Sequence, residues 1–374
     1  MSYSFHLGQK DGPVNLQPVL ERLTNQLSLS RQPLSPQEVE QAVECLLDEH
    51  LAPEVKANFL GALATRGETI EEIAAFTRSL RGRSIQPALD GDLRSTMILD
   101  VVGTGGDRLS TFNISTTVAI LAAAAGVRVA KHGNRGSTSP IGSTDVMEAL
   151  GIPFDQAPEE AVNALRKHHF AYFFARRYHP AFRHVTAARK LCAARGQATI
   201  FNFLGPLLNP AMPSAMLVGV SRPALCEPLA RVLQSLGVRR AMVVCGEVPG
   251  DGAEPVRYLD EVSPLGSTSL AEYYQERGFS VSRLELDGFP LQRSSLGDLK
   301  GGDAGANAEI IKQILGGKER GPKRDAVLVN AAAALFVANR VPNLVAGWEL
   351  AAQTIDSGVA VDKLRELTSR PGAS

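Results

Sequence analysis

Cysteine is scarce and scattered. Cys45, Cys192, Cys226 and Cys245 show no metal-ligand spacing and no disulfide framework, which argues against a zinc-built or disulfide-stapled protein. An excess of charge of one sign is also missing. Lys and Arg together number 39, as do Asp and Glu, so the net charge is zero. Long-range attraction to nucleic acid or to an anionic membrane is therefore not expected, although local basic pockets remain compatible with that balance. No apolar run is long enough to span a bilayer; Ala119–Ala125 reads as a short buried helix segment. The first residues, Met1-Ser2-Tyr3-Ser4-Phe5-His6, lack the basic and apolar regions of a signal peptide, and a cytoplasmic location is expected. Internal repeats and low-complexity tracts are absent as well. What is present is ample core material: 44% of 374 residues are hydrophobic, enough for two domains.

The order of signals along the chain predicts a flexible tail over 1–14 and a helical domain over 15–85. Ser35-Pro36-Gln37-Glu38 joins an N-cap, a proline at the first helical position and a capping-box glutamate. Behind it Val39, Ala42, Val43, Leu46 and Leu47 share one helical face. Pro53 opens a helix that stops near Gly67, and Thr69-Ile70-Glu71-Glu72 is a second capping box feeding Ile73, Phe76 and Leu80. The polar stretch Arg83–Thr96, with Pro87 and Gly91, reads as a linker. From Met97 onward strands and helices alternate, the pattern of an α/β domain with a mainly parallel central sheet over 95–370. Strands are expected at Ala171–Phe174, Ala215–Val220, Ala241–Cys245 and Val281–Leu286. Helices are expected at Pro158–His168, Pro223–Leu236, Asn307–Leu315, Ala326–Asn339 and Leu344–Ser357.

The chemistry concentrates at the start of that α/β domain. The apolar run Met97–Val102 leads into Gly103-Thr104-Gly105-Gly106-Asp107. Asn113-Ile114-Ser115-Thr116 then opens an apolar helix, and Val127–Ala130 delivers Lys131. Strand, glycine loop, helix, strand and basic loop follow one another, an arrangement suited to phosphate. Glycines let backbone N–H groups approach an anion, and a helix start adds free donors and the positive end of its dipole. A glycine turn alone serves as readily for a tight bend, and Asn113, Ser115 and Thr116 also suit helix capping. The second loop decides between the readings. Lys131, His132, Asn134, Arg135, Ser137, Thr138 and Ser139 crowd more polar donors into nine residues than a connector needs.

These segments resemble the anthranilate phosphoribosyltransferase family, a relative of the pyrimidine nucleoside phosphorylases. The likeness rests on Asp100–Gly151, on Arg177-Tyr178-His179-Pro180-Ala181-Phe182, on the segment Thr199–Pro210 and on Arg324-Asp325-Ala326-Val327-Leu328-Val329-Asn330 with the alanines that follow. With the acids Asp260-Glu261 it extends from about residue 16 to about residue 370. The resemblance implies a homodimer in which a helix pair near 179–195 returns to the helical domain, with the active site between the two domains. It implies phosphoribosyl pyrophosphate as donor, anthranilate as acceptor and magnesium (Mg2+) as cofactor. Gly103, Thr104, Gly105, Gly106, Asp107, Thr111, Asn113, Ser115 and Thr116 would hold the pyrophosphate, with Lys131, Asn134 and Ser139 on the rest of the donor. Ser115, Asp260 and Glu261 would bind metal. His132, Asn134, Gly205 and Pro206 would wall the acceptor ring, and Arg189 would pair with its carboxylate; His132, Asn134 and Arg189 are the catalytic candidates.

The chain departs from the family pattern at several places. Arg108 stands where the first loop usually has glycine, and Pro140-Ile141 where a lysine and a small residue are usual. The stretch between Arg189 and Asn202 is longer than is typical, Cys245 replaces a frequent histidine, and Glu247–Tyr258 reads as an insertion. Other readings of the same residues are a transferase using the same donor with a different aromatic acceptor, a nucleoside phosphorylase, and a non-catalytic nucleic-acid-binding relative.

Overall fold

A computed structural model describes residues 15–136, 141–250 and 255–369. The expected tail at 1–14, Ser137 to Pro140 of the second loop, and residues 251–254 of the insertion lie outside the described residues.

The described chain forms two compact units: the part up to Phe76 together with Ala181–Ile200, and Thr77–Pro180 with everything from Phe201 onward. The division falls inside the helix Ile70–Gly82, some residues before the linker boundary read at 85.

The first unit packs helices Gln17–Leu29, Pro36–Leu47 and Pro53–Arg66 around Leu20, Leu23, Val43, Leu46, Phe59 and Leu60, all fully buried. Burying each such side chain contributes roughly 1.5–3 kcal/mol. Ser35 caps its helix as the sequence pattern requires: the Glu38 N–H donates to Ser35 Oγ (3.3 Å), and the Ser35 N–H donates to Glu38 Oε2 (2.8 Å). The returning segment, a 3₁₀ stretch Pro180–Val185 and a helix Thr186–Ala194, is tied in by Lys56. That ammonium is buried and donates to the backbone carbonyls of Asp48 (2.5 Å) and His184 (2.8 Å), so its charge is solvated by backbone oxygens instead of water.

The second unit is built on a sheet of eight strands among the described residues: β1 Ile98–Gly103, β2 Arg128–Gly133, β3 Phe170–Phe174, β4 Ala215–Gly219, β5 Arg240–Val248, β6 Arg257–Leu259, β7 Thr268–Tyr274 and β8 Gly278–Leu284. The order is β3-β2-β1-β4-β5-β7-β8, with β6 paired to the end of β5; the first five run parallel and the last three antiparallel. Residues alternate between faces. Leu99, Val101, Val129 and Tyr172 pack under the helices Ile114–Ala124 and Pro322–Val337, whereas Ile98, Ala130, Ala171 and Phe173 face the helix Pro158–His168. Covered on both faces, the parallel strands read as continuous apolar runs, which is why the sequence displays them. Strand order reverses between β1 and β4, the switch point at which open α/β sheets bind ligands beyond their carboxyl ends.

Expectation and structure differ at the antiparallel edge. The strand expected at Val281–Leu286 begins at Gly278, and β6 and β7 were not anticipated. The edge strand β8 is mostly exposed, with Val281 57% accessible, so no buried face imprints a pattern on it. The helices Ser143–Leu150 and Val359–Thr368 are further elements that the sequence reading does not include.

Candidate active site

The loop after β1 lies at the switch point. Gly105 (φ 68°) and Gly106 (φ 88°) take the left-handed region that glycine enters freely. The Thr104 N–H donates to Gly219 O at the end of β4 (2.9 Å), closing the mouth between the two strands. Asp107 Oδ1 accepts from the Leu109 N–H (3.1 Å), while its Oδ2 is buried and has no hydrogen-bond partner. The helix Ile114–Ala124 starts directly after Asn113, whose side chain makes no cap bond. Thr116 is fully buried on that first turn, and its hydroxyl is likewise without a partner. Thr111 bridges to Lys300, and the Phe112 N–H donates to Leu299 O (3.0 Å), which clamps the far end of the loop.

The acids Asp260-Glu261 come to this loop from the other side of the switch point. Asp260 Oδ2 accepts from the Gly105 N–H (2.8 Å) and Glu261 Oε1 from the Ser115 N–H (3.1 Å). They can approach because β1 and β4 end on glycine and β5 carries one near its end, at Gly246. A Cβ on Gly103 would collide with the Asp260 carboxylate, and one on Gly219 would overlap its backbone carbonyl. A Cβ on Gly246 would come within 2.6 Å of Glu261 O. Removal from water raises the pKa of Asp260, and the Asp107 carboxylate reinforces the shift. Glu261 is pushed well above its ordinary value, again first by burial and then by Asp260, with Lys131 opposing. Two acids that resist ionising beside each other, with the Asp107 carboxylate close enough to raise Asp260 further, form an all-oxygen donor set. That chemistry fits magnesium, a hard cation that takes oxygen ligands, retains waters and binds through one or two carboxylates together with phosphates. Among the described residues no three His, Cys, Asp or Glu side chains form a preassembled cage, in keeping with that mode of binding.

Beneath the second loop lies a buried polar network. Asp100, in the middle of β1 and fully buried, accepts from Asn209 Nδ2 (2.8 Å) and from the His132 N–H (3.4 Å). Asn209 also donates to Ala130 O (2.7 Å) and accepts from the Ala211 N–H (2.9 Å). Lys131 is 2% exposed and donates to Val101 O (2.7 Å), so its ammonium is turned down into the sheet. Burial lowers the Lys131 pKa against the pull of Asp100 and Glu261, and burial raises Asp100 to about 6 despite the neighbouring lysine. His132 is held well below its usual range by burial and then by His179, with only the Gly205 backbone raising it. The His132 and His179 rings meet edge to face at 5.4 Å, and His179 Nε2 donates to Leu208 O (2.9 Å). Both imidazoles are therefore neutral at neutral pH.

The structure thus brings together Gly103 to Asp107, Asn113, Ser115, Thr116, Asp260 and Glu261 around the first loop. His132 and Gly205 form a second group, with Pro206 next to Gly205 on the helix Phe201–Leu207. Asn134 is exposed at the start of the second loop, where its Oδ1 accepts from the Arg135 N–H (2.8 Å). Ser139 lies outside the described residues. Arg189 stands on the helix Thr186–Ala194 of the helical unit, half-buried, and its pKa is lowered by loss of water. Sequence reasoning missed Asp100, Asn209, Gly219 and Asn330 as site-building residues. Asp100 had a legible signal, a carboxylate inside an apolar strand. The others become significant only once the strands are paired.

Residues 95–361 match the glycosyl transferase family, a/b domain, and residues 17–84 its helical bundle domain. Fold and site thus define a glycosyl transferase. An anthranilate phosphoribosyltransferase of Lacticaseibacillus paracasei is 43% identical over 328 residues, 87% of this chain and 91% of that protein. The crystal structure of anthranilate phosphoribosyltransferase from Thermus thermophilus is 36% identical and superimposes with a TM-score of 0.79, covering 94% of this chain and 98% of that one. The Saccharomyces cerevisiae enzyme in complex with PRPP and Mg is 27% identical, with a TM-score of 0.80 over 94% of this chain and 97% of that one. The chain belongs to the anthranilate phosphoribosyltransferase family.

Proposed function

We propose that this protein transfers the phosphoribosyl group of phosphoribosyl pyrophosphate to the amine of anthranilate, a step of tryptophan biosynthesis. The observation that carries the proposal is the seating of Asp260 on the Gly105 N–H and of Glu261 on the Ser115 N–H, which pairs a metal-grade acid couple with a phosphate loop. A bond forms between the amine nitrogen and ribose C1, the C1–oxygen bond breaks, pyrophosphate leaves with the electron pair, and the amine loses a proton. Magnesium, when bound through Asp260, Glu261 and Ser115, supplies charge neutralisation for the leaving group. The backbone from Gly103 to Asp107, with Thr111, Asn113 and Thr116, receives the pyrophosphate; Asn134 and Ser139 take the rest of the donor. Lys131, parked on Val101 O, contributes its field from below the loop. Anthranilate is nucleophilic while neutral, so positioning outweighs base catalysis. His132, held neutral by burial, walls the anthranilate ring together with Asn134, Gly205 and Pro206, and the planar fork of Arg189 takes the carboxylate.

A fluorescence assay with the protein, donor, anthranilate and magnesium tests the reading: anthranilate disappears only when all are present. Arg189→Ala raises the anthranilate KM by about tenfold or more while the donor KM stays within about twofold, the loss of one charged bidentate contact. An unchanged anthranilate KM would sink the role of Arg189. We further propose a homodimer in the cytoplasm without nucleic-acid partners; the balanced charge supports the last of these, and among the described residues no helix is long and apolar enough to cross a membrane.

A further inference from the structure

Asn330 is the third kind of residue this site needs, one that touches neither substrate nor metal. It sits mid-helix in Pro322–Val337, among alanines, valines and leucines, and is fully buried. A primary amide in such a place costs stability unless every hydrogen-bonding group is met. Here they are met almost entirely by one residue. Asn330 Oδ1 accepts from the Val262 N–H (2.8 Å), and Nδ2 donates to Val262 O (2.9 Å) and to Ala326 O (2.9 Å) in its own helix. The side chain therefore binds Val262 as a neighbouring strand would, on both backbone groups, at the residue immediately after Glu261.

The same turn is confined from the opposite side. Gly103, Gly219 and Gly246 end or interrupt β1, β4 and β5, and each leaves space that the stretch Asp260–Ser263 occupies. The glycines permit the turn to approach but cannot hold it, since they supply no side-chain bond. On the helix side, Asn330 supplies the direct attachment. The Ser263 N–H is bonded separately to Thr268 Oγ1 (3.0 Å), beyond the acids.

We propose that Asn330 is a positioning residue for magnesium: by holding both backbone groups of Val262, it fixes the direction in which Asp260 and Glu261 present their carboxylates. The proposal rests on the phosphoribosyl transfer reading above. Its test is the magnesium dependence of donor binding, read by calorimetric titration of phosphoribosyl pyrophosphate into the protein at stepped magnesium concentrations. Wild type is measured at pH 8 beside Asn330→Asp, which keeps the acceptor for the Val262 N–H but in its ionised form loses the donor to its carbonyl, and beside Asn330→Leu, which loses both. The magnesium concentration giving half-maximal donor affinity rises about tenfold in Asn330→Asp and further in Asn330→Leu, and saturating magnesium restores the affinity. A purely structural role predicts something else: a lower melting temperature and fewer binding sites per protein, with the magnesium midpoint unmoved. That outcome overturns the proposal, and Asn330→Asp alone decides if Asn330→Leu does not fold. If wild type itself binds donor with no magnesium dependence, the transfer reading fails first, and the two failures are told apart.

Discussion

The two loops at the switch point are built by opposite means. Around the first loop, backbone does the work: N–H groups of Gly105 and Ser115 hold the acids, and Gly103 and Gly219 contribute only the absence of a side chain. Around the second, buried side chains do it, with Asp100, Asn209, Lys131, His132 and His179 linking β1, β2 and the segment after Gly205. A backbone cradle suits a leaving group defined by charge, because amide dipoles are fixed and need no reorganisation when charge develops. A side-chain scaffold suits a flat aromatic acceptor, where shape and dryness count for more than donors. The difference implies that mutations on the two sides should fail in different ways.

The sharpest way to break the first side is Gly219→Ala. Its Cβ would overlap Asp260 O, a backbone atom that no rotamer change can move away. We expect a loss of turnover on the order of a thousandfold and about 3 kcal/mol of stability by urea unfolding, the upper range for overpacking. Gly103→Ala meets the Asp260 carboxylate instead, which can rotate, so it should cost activity with less stability. Equal effects from the two would show that the close approach of the backbone is not what matters.

Removing the acids tests the same side by charge. Asp260→Asn with Glu261→Gln should lower magnesium-dependent turnover by about a hundredfold or more. Stability should move the other way. Both carboxyls have folded pKa values raised above their unfolded ones, so the stability they contribute is present below about pH 4 and lost as pH rises through the folded values. In buffer free of divalent cations the double amide should exceed wild type by about 2 kcal/mol at pH 8, discounted for partial exposure, and match it near pH 4. A variant less stable at pH 8 would mean that the acids are not a repelling pair.

The second side breaks through Asn209→Leu, which leaves Asp100 Oδ2, Ala130 O and the Ala211 N–H without their partner. We expect a loss of about 3 kcal/mol from these unmet buried groups. The anthranilate KM should rise by about tenfold and the donor KM by less, because the pyrophosphate half of the donor is held at the first loop, whereas the hydrogen bonds of Asn209 run to Asp100, Ala130 and Ala211. Steady-state kinetics with each substrate varied would check this. Parallel rises in both would erase the distinction between the two sides.

How much of this was legible in the sequence follows from the same division. Glycine in a loop after an apolar strand is a local signal, so Gly103 to Asp107 and the helix opening at Ile114 could be read directly. The pair Asp260-Glu261 could not be told from surface charge by spacing; the family likeness supplied it. Asn209 and Asn330 lie within the segments Thr199–Pro210 and Arg324–Asn330, yet their roles come from bonds spanning 109 and 68 residues, to Asp100 and Val262. Lys131 was expected to reach the donor directly, whereas its carbonyl partner on β1 exists only because β1 and β2 are neighbours. Buried parallel strands announced themselves, whereas at the antiparallel edge β8 was read in part and β6 and β7 were not.

The smallest effect separates backbone from side chain within the first loop. Arg108 occupies the family's usual glycine position and takes φ 57°, with Ser110 at 54° two residues later. The strand of contacts behind them holds this geometry: Lys300 Nζ donates to Leu109 O (2.6 Å) and the Gly301 N–H to Ser110 O (3.0 Å). A left-handed non-glycine residue costs about 1–2 kcal/mol, and glycine returns part of that through its freer unfolded chain. Arg108→Gly should therefore stabilise the protein by about 0.5–1 kcal/mol in urea unfolding, with the donor KM within about twofold. Arg108→Ala keeps the backbone cost and removes the guanidinium, so it should leave both quantities near wild type. If both variants instead weaken donor binding alike, the exposed guanidinium reaches the donor, and the first loop is no longer a purely backbone-built cradle.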